Sequence, residues 1–239
     1  MDRIDISVAR YSELHCYKLT MLASPNTNPD VLLVEDDPVM TKVVTQFLRT
    51  ANHRVKSFKN GYDFFRYKIP RHPCCLILDI YLGTPPDGPD IYRQLLEKGG
   101  PRIPVLFLTH KATVPLAVNL VRAGALNMLS KSDVVDNPKF LTHAVAEAIQ
   151  VARTWYEEDN RTASQQALLE KLTPRELETL QWVITGMLNK QIAASLNITE
   201  RTVKAHRAKI TEKLGLFSVA ELVRFAEGCG VPPAVMPEE

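Results

Sequence analysis

The sequence predicts a doubly wound α/β domain with a five-stranded parallel sheet, followed by a small all-α domain. Three observations support this prediction. Short apolar runs alternate with helical patterns over residues 31–150, polar side chains follow several of these runs, and only helical patterns follow residue 168. Continuous apolar runs are typical of strands that a parallel sheet buries on both faces. A chain of 239 residues has room for two modest domains.

Five short apolar runs are the predicted strands of the sheet. They span residues 31–34, 54–58, 74–82, 103–108 and 127–129. Helices are predicted over residues 38–50, 61–67, 89–98 and 114–123, and a long helix follows residue 137. The first helix has a clear start, because Asp37 can cap it and Pro38 occupies a position where a missing N–H costs nothing. Strands that alternate with helices imply right-handed crossovers between parallel strands.

Charged and hydroxyl side chains follow the predicted strands where the strands end. Glu35 and Asp36 follow the first run, Asp79 lies near the end of the third, Thr109 follows the fourth and Lys131 the fifth. Ligand-binding groups in open parallel sheets collect beyond the carboxyl ends of the strands, so we expect these side chains to meet. Gathered carboxylates repel one another unless a cation joins them, and carboxylate oxygens suit Mg²⁺. Asp79 is then a candidate nucleophile for a phosphoryl group.

In their order and spacing, these five residues resemble the receiver domain of two-component response regulators, over residues 31–150. The stretch after the fourth strand is most similar to the FixJ branch. The resemblance implies a flavodoxin-like domain in which the five predicted strands, numbered along the chain, lie in the order 2-1-3-4-5. It also implies a histidine kinase as phosphodonor, Mg²⁺ as cofactor, and catalysis mainly by positioning and charge neutralisation.

The same resemblance implies a role for each polar residue. Asp79 would be the phosphoacceptor. Asp36, Asp79 and the backbone carbonyl of Tyr81 would be the Mg²⁺ ligands, and Glu35 would act through a metal-bound water. Lys131 would pair with the phosphoryl oxygens, and Thr109 would donate a hydrogen bond to one of them.

Three features depart from the receiver pattern. Ser132 stands where the family has a proline after its lysine, so the family's cis peptide is not expected there. Met128 stands where the family has an aromatic residue that takes part in signal read-out. The loop after Asp79 has Gly83 in place of a proline and one extra residue. None of these changes removes a phosphoryl-transfer group.

Tyr81 and Lys111 flank the predicted site, and the resemblance implies that they influence attack by water on the phosphorylated residue. We expect the bulky Tyr81 to slow hydrolysis. Tyr81 also bears on a rival prediction, a Mg²⁺-dependent phosphohydrolase with an aspartyl nucleophile. Such an enzyme would carry an acid two residues past the nucleophile, where this chain has Tyr81.

The segment from residue 168 to 230 reads as a helical domain. Thr173, Pro174 and Glu176 form a strong helix start with a capping box. A short helix over residues 190–196, a turn and a longer helix that ends before Gly215 make a helix-turn-helix pattern. The sequences Asn189-Lys-Gln-Ile-Ala193 and Thr202-Val-Lys-Ala-His206 resemble the DNA-binding domain of the LuxR/FixJ (NarL) family.

The longer helix has an apolar side and a basic side. At 100° per residue, Val203, Ile210 and Leu214 share one side, and His206 lies at its edge with packing and DNA contact as equal alternatives. Residues 190–213 carry six basic and two acidic side chains, a net charge of +4. We expect Lys204 and Ala205 to contact base edges with Ala208 packing nearby, and Lys190, Arg201, Thr202 and Lys209 to hold phosphates.

The remaining segments are predicted as an extension over residues 1–30, a linker over residues 151–167 and a tail over residues 231–239. The polar linker is compatible with a flexible segment or with an extension of the preceding helix, and we expect the helix because the linker has neither proline nor glycine. Residues 1–30 lack the apolar stretch of a signal peptide, and no run approaches membrane-spanning length. The four cysteines lack metal-ligand spacing, and we read Cys74 and Cys75 as buried thiols in a reducing cytoplasm.

Together these features predict a DNA-binding transcription regulator that is not an enzyme. Phosphorylation of Asp79 would bias a two-state equilibrium and promote homodimerisation. The helix over residues 114–123 and the strand after it offer the apolar surface, with Leu116 and Leu120 as candidates. Promoter DNA, the cognate histidine kinase and RNA polymerase are the expected partners, and no membrane is expected. The departures at Met128 and Ser132 keep one alternative open, a receiver whose DNA binding does not depend on phosphorylation.

Overall fold

The computed structural model describes residues 30–99, 102–110 and 114–235. The predictions made for residues 1–29 and for Lys111 therefore lie outside the described residues. The chain divides into two compact units, residues 1–153 and residues 154–239, and each is described by itself.

Five parallel strands form the sheet of the first unit, in the predicted order β2-β1-β3-β4-β5. They are β1 (Val31–Val34), β2 (Val55–Phe58), β3 (Cys75–Asp79), β4 (Val105–Thr109) and β5 (Asn127–Ser130). Asp79 lies opposite Leu108, and Thr109 lies opposite Ser130. This register brings the carboxyl ends of the central strands to one edge of the sheet. The strand β3 ends at Asp79 itself, three residues before the predicted end.

Helices cover both faces of the sheet. They are α1 (Pro38–Thr50), α2 (Gly61–Arg66), α3 (Gly88–Glu97), α4 (Val114–Arg122), α5 (Lys131–Asp136) and α6 (Pro138–Leu169). Alternate residues of β1 divide the core: Leu33 packs in a cluster with α1, α5 and α6, whereas Leu32 and Val34 pack in a second cluster with α2, α3 and α4. This division agrees with the doubly wound architecture expected from the alternation of strands and helices.

The short helix α5 was not anticipated from the sequence, where the fifth strand was expected to end near Lys131 and the next helix to follow Asn137. Its start carries no side-chain cap, since Ser130 makes no capping hydrogen bond, and the extended backbone of Asn137 ends it after six residues. Lys131 and Val134 are buried one turn apart. As expected, the Lys131–Ser132 bond is not among the cis peptides of the described residues; that between Pro85 and Pro86 is cis.

The second unit contains the end of α6 and four further helices. These are α7 (Pro174–Val183), α8 (Asn189–Ser195), α9 (Glu200–Leu214) and α10 (Val219–Gly228). The predicted linker is helical, because α6 continues without a break to Leu169. Apolar residues from all four later helices form one cluster, with Val203 and Ile210 of α9 fully buried in it. Within the described part of the chain, no helix combines the length and apolar character needed to cross a membrane.

Candidate acidic pocket and nucleic-acid interface

Three carboxylates meet at the carboxyl edge of the sheet. Glu35 and Asp36 follow β1 directly, and Asp79 is the last residue of β3. One carboxylate oxygen from each lies within 4.8 Å of the others. Glu35 is 2% exposed and Asp79 is 3% exposed, whereas Asp36 is partly exposed. The strand order explains this convergence, since β1 and β3 are neighbours in the sheet despite their separation in the sequence.

Lys131 contributes the positive charge of this pocket. Its Nζ donates hydrogen bonds to Asp79 Oδ2 at 2.8 Å and to Glu35 Oε1 at 2.9 Å, and the lysine is 3% exposed. Thr109 is buried at the end of β4. The neighbouring strands therefore bring Glu35, Asp79, Thr109 and Lys131, the buried polar residues predicted for this site, to the same edge of the sheet.

The pocket holds more negative than positive charge. Burial raises the pKa of Glu35 to about 7, and the charge of Asp79 adds to this effect against the opposing influence of Lys131. Burial alone would lower the pKa of Lys131, but its hydrogen bonds to Asp79 and Glu35 outweigh burial and the pKa is raised. The ammonium is therefore firmly protonated, and one positive charge faces three carboxyl groups.

The donor set of the pocket fits Mg²⁺. Its carboxylates provide hard oxygen ligands. Glu35 Oε2 lies 2.8 Å from Lys131 Nζ but outside hydrogen-bond geometry, and it has no donor among the described residues. Both oxygens of Glu35 therefore share the single ammonium of Lys131 with Asp79, and a further cation would offset the remaining negative charge of the pocket. Tyr81, whose carbonyl was predicted as a ligand, donates its backbone N–H to Asp79 Oδ1 at 3.3 Å, and the residue is 60% exposed.

The three departures from the receiver pattern have visible structural consequences. Met128 on β5 is partly buried and packs against the cluster of Leu32 and Val34. Ser132 is exposed, and its hydroxyl lies 2.6 Å from the hydroxyl of Ser130. Gly83 donates its backbone N–H to Asp36 Oδ2 at 2.9 Å, a contact that sequence reasoning missed. The absence of a proline at this position was the available signal, because a proline has no N–H to donate.

The surface proposed for dimerisation needs a correction. Leu116 and Leu120 of α4 were expected at the surface, but Leu120 is buried and Leu116 packs against the second cluster of the receiver core. Both lie on the helix face that turns towards the sheet. Among the described side chains of this helix, Val118 and Val121 are exposed large apolar residues.

The helix-turn-helix segment separates its faces as expected. Val203, Ile210 and Leu214 are buried. The predicted DNA-contacting residues of α9 are exposed apart from Thr202, which is partly buried; the exposed ones are Arg201, Lys204, Ala205, Ala208 and Lys209. Lys190 is exposed near the start of α8. His206 is partly buried, which favours the packing role among its two alternatives.

Two polar contacts of the second unit were missed from the sequence. Arg207 of α9 donates from Nη1 to Asn189 Oδ1 of α8 at 2.9 Å. Lys213 donates to Glu176 Oε2 at 2.6 Å, and the same oxygen accepts the backbone N–H of Thr173 at 2.8 Å. The capping box was predicted, but nothing in the local pattern indicated that its glutamate would also bind a lysine 37 positions away.

The cysteines of the described residues are free thiols. Cys74 and Cys75 are buried, as predicted. Burial raises the pKa of Cys74 to about 12 and also raises the pKa of Cys75. Both are therefore poor nucleophiles and poor metal ligands at neutral pH, which agrees with a packing role. Cys229 is partly buried in the second unit.

Comparisons with known proteins agree with this two-part organisation. Residues 31–146 match a family model described as the response regulator receiver domain, and residues 170–226 match one described as bacterial regulatory proteins of the luxR family. Nodulation protein W of Bradyrhizobium diazoefficiens is 32% identical over 206 residues, which cover 86% of this chain and 88% of that protein. Response regulator protein TmoT of Ectopseudomonas mendocina is 33% identical, with 82% and 87% of the two chains covered.

A solved structure extends the likeness to both units. The response regulator StyR is 31% identical, with a TM-score of 0.74 over 82% of this chain and 97% of that chain. The identity and coverage of these relatives show the family. The chain belongs to the two-component response regulators that join a receiver domain to a LuxR-type helix-turn-helix DNA-binding domain.

Proposed function

We propose that this response regulator is phosphorylated on Asp79 by a cognate histidine kinase in the presence of Mg²⁺, and that phosphorylation promotes dimerisation and promoter binding. The observation that carries the proposal is the meeting of three carboxylates within 4.8 Å beside the buried ammonium of Lys131. Convergent titratable groups in which negative charge exceeds positive charge are typical of a functional site rather than of a packing contact.

Each residue of the pocket has a defined role in this proposal. A carboxylate oxygen of Asp79 attacks phosphorus, and the bond from phosphorus to the histidine nitrogen of the kinase breaks with the electron pair leaving on nitrogen. Lys131 and Thr109 hold the phosphoryl oxygens, and Lys131 keeps its proton throughout because its pKa is raised.

Mg²⁺ would be held by Asp36, Asp79 and the backbone carbonyl of Tyr81, with Glu35 acting through a water. When bound, it would neutralise charge on the transferring group. We expect Tyr81 to slow hydrolysis, since its exposed side chain stands two residues past the phosphoacceptor. A Tyr81→Asn variant should therefore lose its phosphoryl group faster than the wild type.

The output of the proposed switch is a dimer on DNA. Exposed Val118 and Val121 of α4 make this helix a candidate dimer surface. Two copies would bring two α9 helices to paired half-sites. On α9 we assign Lys204 and Ala205 to base edges with Ala208 nearby. We assign Lys190, Arg201, Thr202 and Lys209 to phosphates, which position the domain without reading sequence.

The proposal also includes the bounds of the domains, the cellular location and a further partner. We propose residues 1–30 as an extension, 31–150 as the receiver, 151–167 as the connecting segment, 168–230 as the DNA-binding domain and 231–239 as a tail. We expect the protein to act in the cytoplasm, where it would meet DNA, and RNA polymerase is a candidate further partner. Because the chain matches the receiver model and the model of luxR-family regulatory proteins, we assign it a regulatory rather than an enzymatic role.

The test is the intact mass of the protein after incubation with a small phosphodonor and Mg²⁺, beside an Asp79→Ala control. We expect one added phosphoryl group in the wild type and none in the control. An adduct in the control would overturn the assignment of Asp79. No adduct with either the small donor or a panel of histidine kinases would favour the alternative of phosphorylation-independent DNA binding.

A further inference from the structure

The loop between β3 and α3 contacts the acidic pocket through its backbone. Gly83 donates its N–H to Asp36 Oδ2 at 2.9 Å, across 47 positions of sequence. Hydrogen bonds from a backbone N–H to an ionised carboxylate are stronger than those between neutral groups. The contact therefore restrains Asp36 from outside the loop between β1 and α1 that carries it.

Asp36 is the carboxylate of the pocket that most needs such a restraint. Glu35 and Asp79 are buried, and Lys131 fixes both of them by hydrogen bonds. Asp36 is partly exposed, and the two hydrogen bonds that Lys131 donates to carboxylates end on Glu35 and Asp79 instead. Without the loop, an exposed aspartate side chain would sample several rotamers, and holding it in one of them would cost entropy at the moment a cation binds.

The residue type at position 83 fits this contact in two ways. A Cβ added to Gly83 would lie 3.0 Å from Asp36 Oδ2, so a glycine lets the loop backbone approach the carboxylate closely. A proline, which the receiver pattern has at this position, would have no N–H to donate. The glycine therefore supplies both the space and the donor.

We propose that Gly83 is a positioning residue for the cation pocket: its backbone N–H holds one oxygen of Asp36 and leaves the other available to a divalent cation. Backbone and side-chain groups that orient a metal ligand typically change metal affinity by about 10–100-fold when they are removed. The inference rests on the proposed function, since it requires that Asp36 bind Mg²⁺.

Two substitutions of Gly83 separate the effect of losing its N–H donor from the effect of adding side-chain atoms near Asp36. Gly83→Ala adds a Cβ and keeps the N–H, whereas Gly83→Pro adds a ring and removes the N–H. Mg²⁺ is titrated into each full-length chain, and its binding is followed by the amide resonances of the pocket in nuclear magnetic resonance spectra. We expect Gly83→Pro to bind Mg²⁺ about tenfold more weakly than Gly83→Ala. Equal affinities of the two variants would overturn the inference.

A second readout distinguishes positioning from a general structural defect. The Mg²⁺ concentration that half-saturates phosphorylation by a small donor should rise about tenfold in Gly83→Pro, while the rate at saturating Mg²⁺ stays near that of Gly83→Ala. A fall in the saturating rate with unchanged half-saturation would overturn the positioning role.

The hydrogen bond can also be tested without any change at Gly83, should the proline variant fail to fold. In the wild type the Gly83 amide proton should exchange slowly and shift downfield, and both features should be lost in Asp36→Ala. They should persist when Mg²⁺ is added. If Mg²⁺ abolishes them, the N–H competes with the cation and the inference is wrong. If the wild type binds no Mg²⁺ at all, the proposed function itself fails.

Discussion

Each unit of the molecule contains a buried glutamate bound to a lysine, and the two pairs differ in their electrostatics. In the receiver, Lys131 binds Glu35 and Asp79, and burial helps to raise the pKa of Glu35 to about 7. In the DNA-binding domain, the hydrogen bond from Lys213 is the main cause that lowers the pKa of Glu176 to about 2, and the N–H of Thr173 adds to it. Similar chemical groups thus produce opposite shifts.

The difference lies in what surrounds each carboxylate. Glu176 accepts hydrogen bonds from the ammonium of Lys213 and from the backbone N–H of Thr173, so its charge is compensated. Glu35 faces a second carboxylate, Asp79, and the two share the single ammonium of Lys131. The compensated pair of Glu176 and Lys213 is a structural contact that stabilises the start of α7. A pocket with surplus negative charge is prepared for a further cation, which is why its acids are candidates for function.

Among the variants that test this comparison, the largest loss of stability is expected from removing the lysine of the receiver. Lys131→Met leaves two buried carboxylates without a cation, and we expect the receiver to lose about 3 kcal/mol of unfolding free energy near neutral pH. Hydrogen exchange of the β1 and β3 amides in Mg²⁺-free buffer measures this loss. Lys213→Met is the matched control, and it should cost the α7 amides only about 1 kcal/mol, because Glu176 keeps the N–H of Thr173. Equal losses in the two variants would contradict the comparison.

Removing the glutamate of the second pair should have the next largest effect. Glu176→Ala deletes both the capping contact and the ion pair, so we expect a loss of about 2 kcal/mol of unfolding free energy. Because its folded pKa lies below the usual 4.5, the contribution of Glu176 is present above that pH and is lost as the pH falls towards 2.

Fluorescence of the buried Trp182 during urea unfolding at several acidic pH values measures this change. The wild type and Glu176→Ala should converge in stability as the pH falls below about 4. A constant difference down to about pH 2 would show that the ion pair makes no contribution.

The pH dependence of the receiver should run in the opposite direction. The folded pKa of Glu35 is raised, so its contribution to stability is present below its unfolded pKa of 4.5 and is lost as the pH rises through about 7. Added Mg²⁺ should restore that loss. A tenfold excess of Mg²⁺ over its Kd is worth about 1.4 kcal/mol.

Melting temperatures with and without Mg²⁺ test this prediction. The stabilisation by Mg²⁺ should be larger at about pH 8 than at about pH 5.5, because the proton on Glu35 competes with the metal at the lower pH. In Glu35→Gln the pH dependence of the Mg²⁺ effect should shrink. An equal Mg²⁺ effect at both pH values in the wild type would indicate that Glu35 does not take part.

The smallest effect is expected at an exposed pair. Glu200 and Lys204 on α9 are 3.1 Å apart with both side chains largely exposed, so Glu200→Gln should change the unfolding free energy by at most about 0.5 kcal/mol. It also removes a negative charge from the proposed DNA face, so binding to a duplex of arbitrary sequence should tighten about twofold at low salt. Fluorescence anisotropy measures this affinity. Unchanged or weaker binding would argue that this face does not approach DNA.

The sequence predicted those parts of the fold and of the pocket that depend on local patterns. Apolar runs located the strands, and the polar residues after them located Glu35, Asp79, Thr109 and Lys131, because parallel strands bring their carboxyl ends to one edge. The helix α5 was missed because it is short and has no side-chain cap. Leu116 and Leu120 were assigned to the wrong face, since α4 is apolar on several sides and its pattern does not separate core from surface.

Contacts that join distant parts of the chain could not be predicted in this way. The bond from Gly83 to Asp36 and the bond from Lys213 to Glu176 depend on the relative placement of a loop or helix and a partner 47 or 37 positions away. Neither position carries a periodic signal. The partners of Lys131 were predictable because strand order, rather than side-chain packing, brings them together.

The order of the pocket residues along the chain also determines when, during synthesis on the ribosome, the pocket can be completed. Lys131 is 96 positions from Glu35 and 52 from Asp79, and it is the last of the pocket residues to be synthesised. A nascent chain that has not yet released β5 still lacks the ammonium, so it holds a set of acids without their counter-charge. Truncated translation products that end before residue 131 should therefore be unable to take up the phosphoryl group that we propose for Asp79.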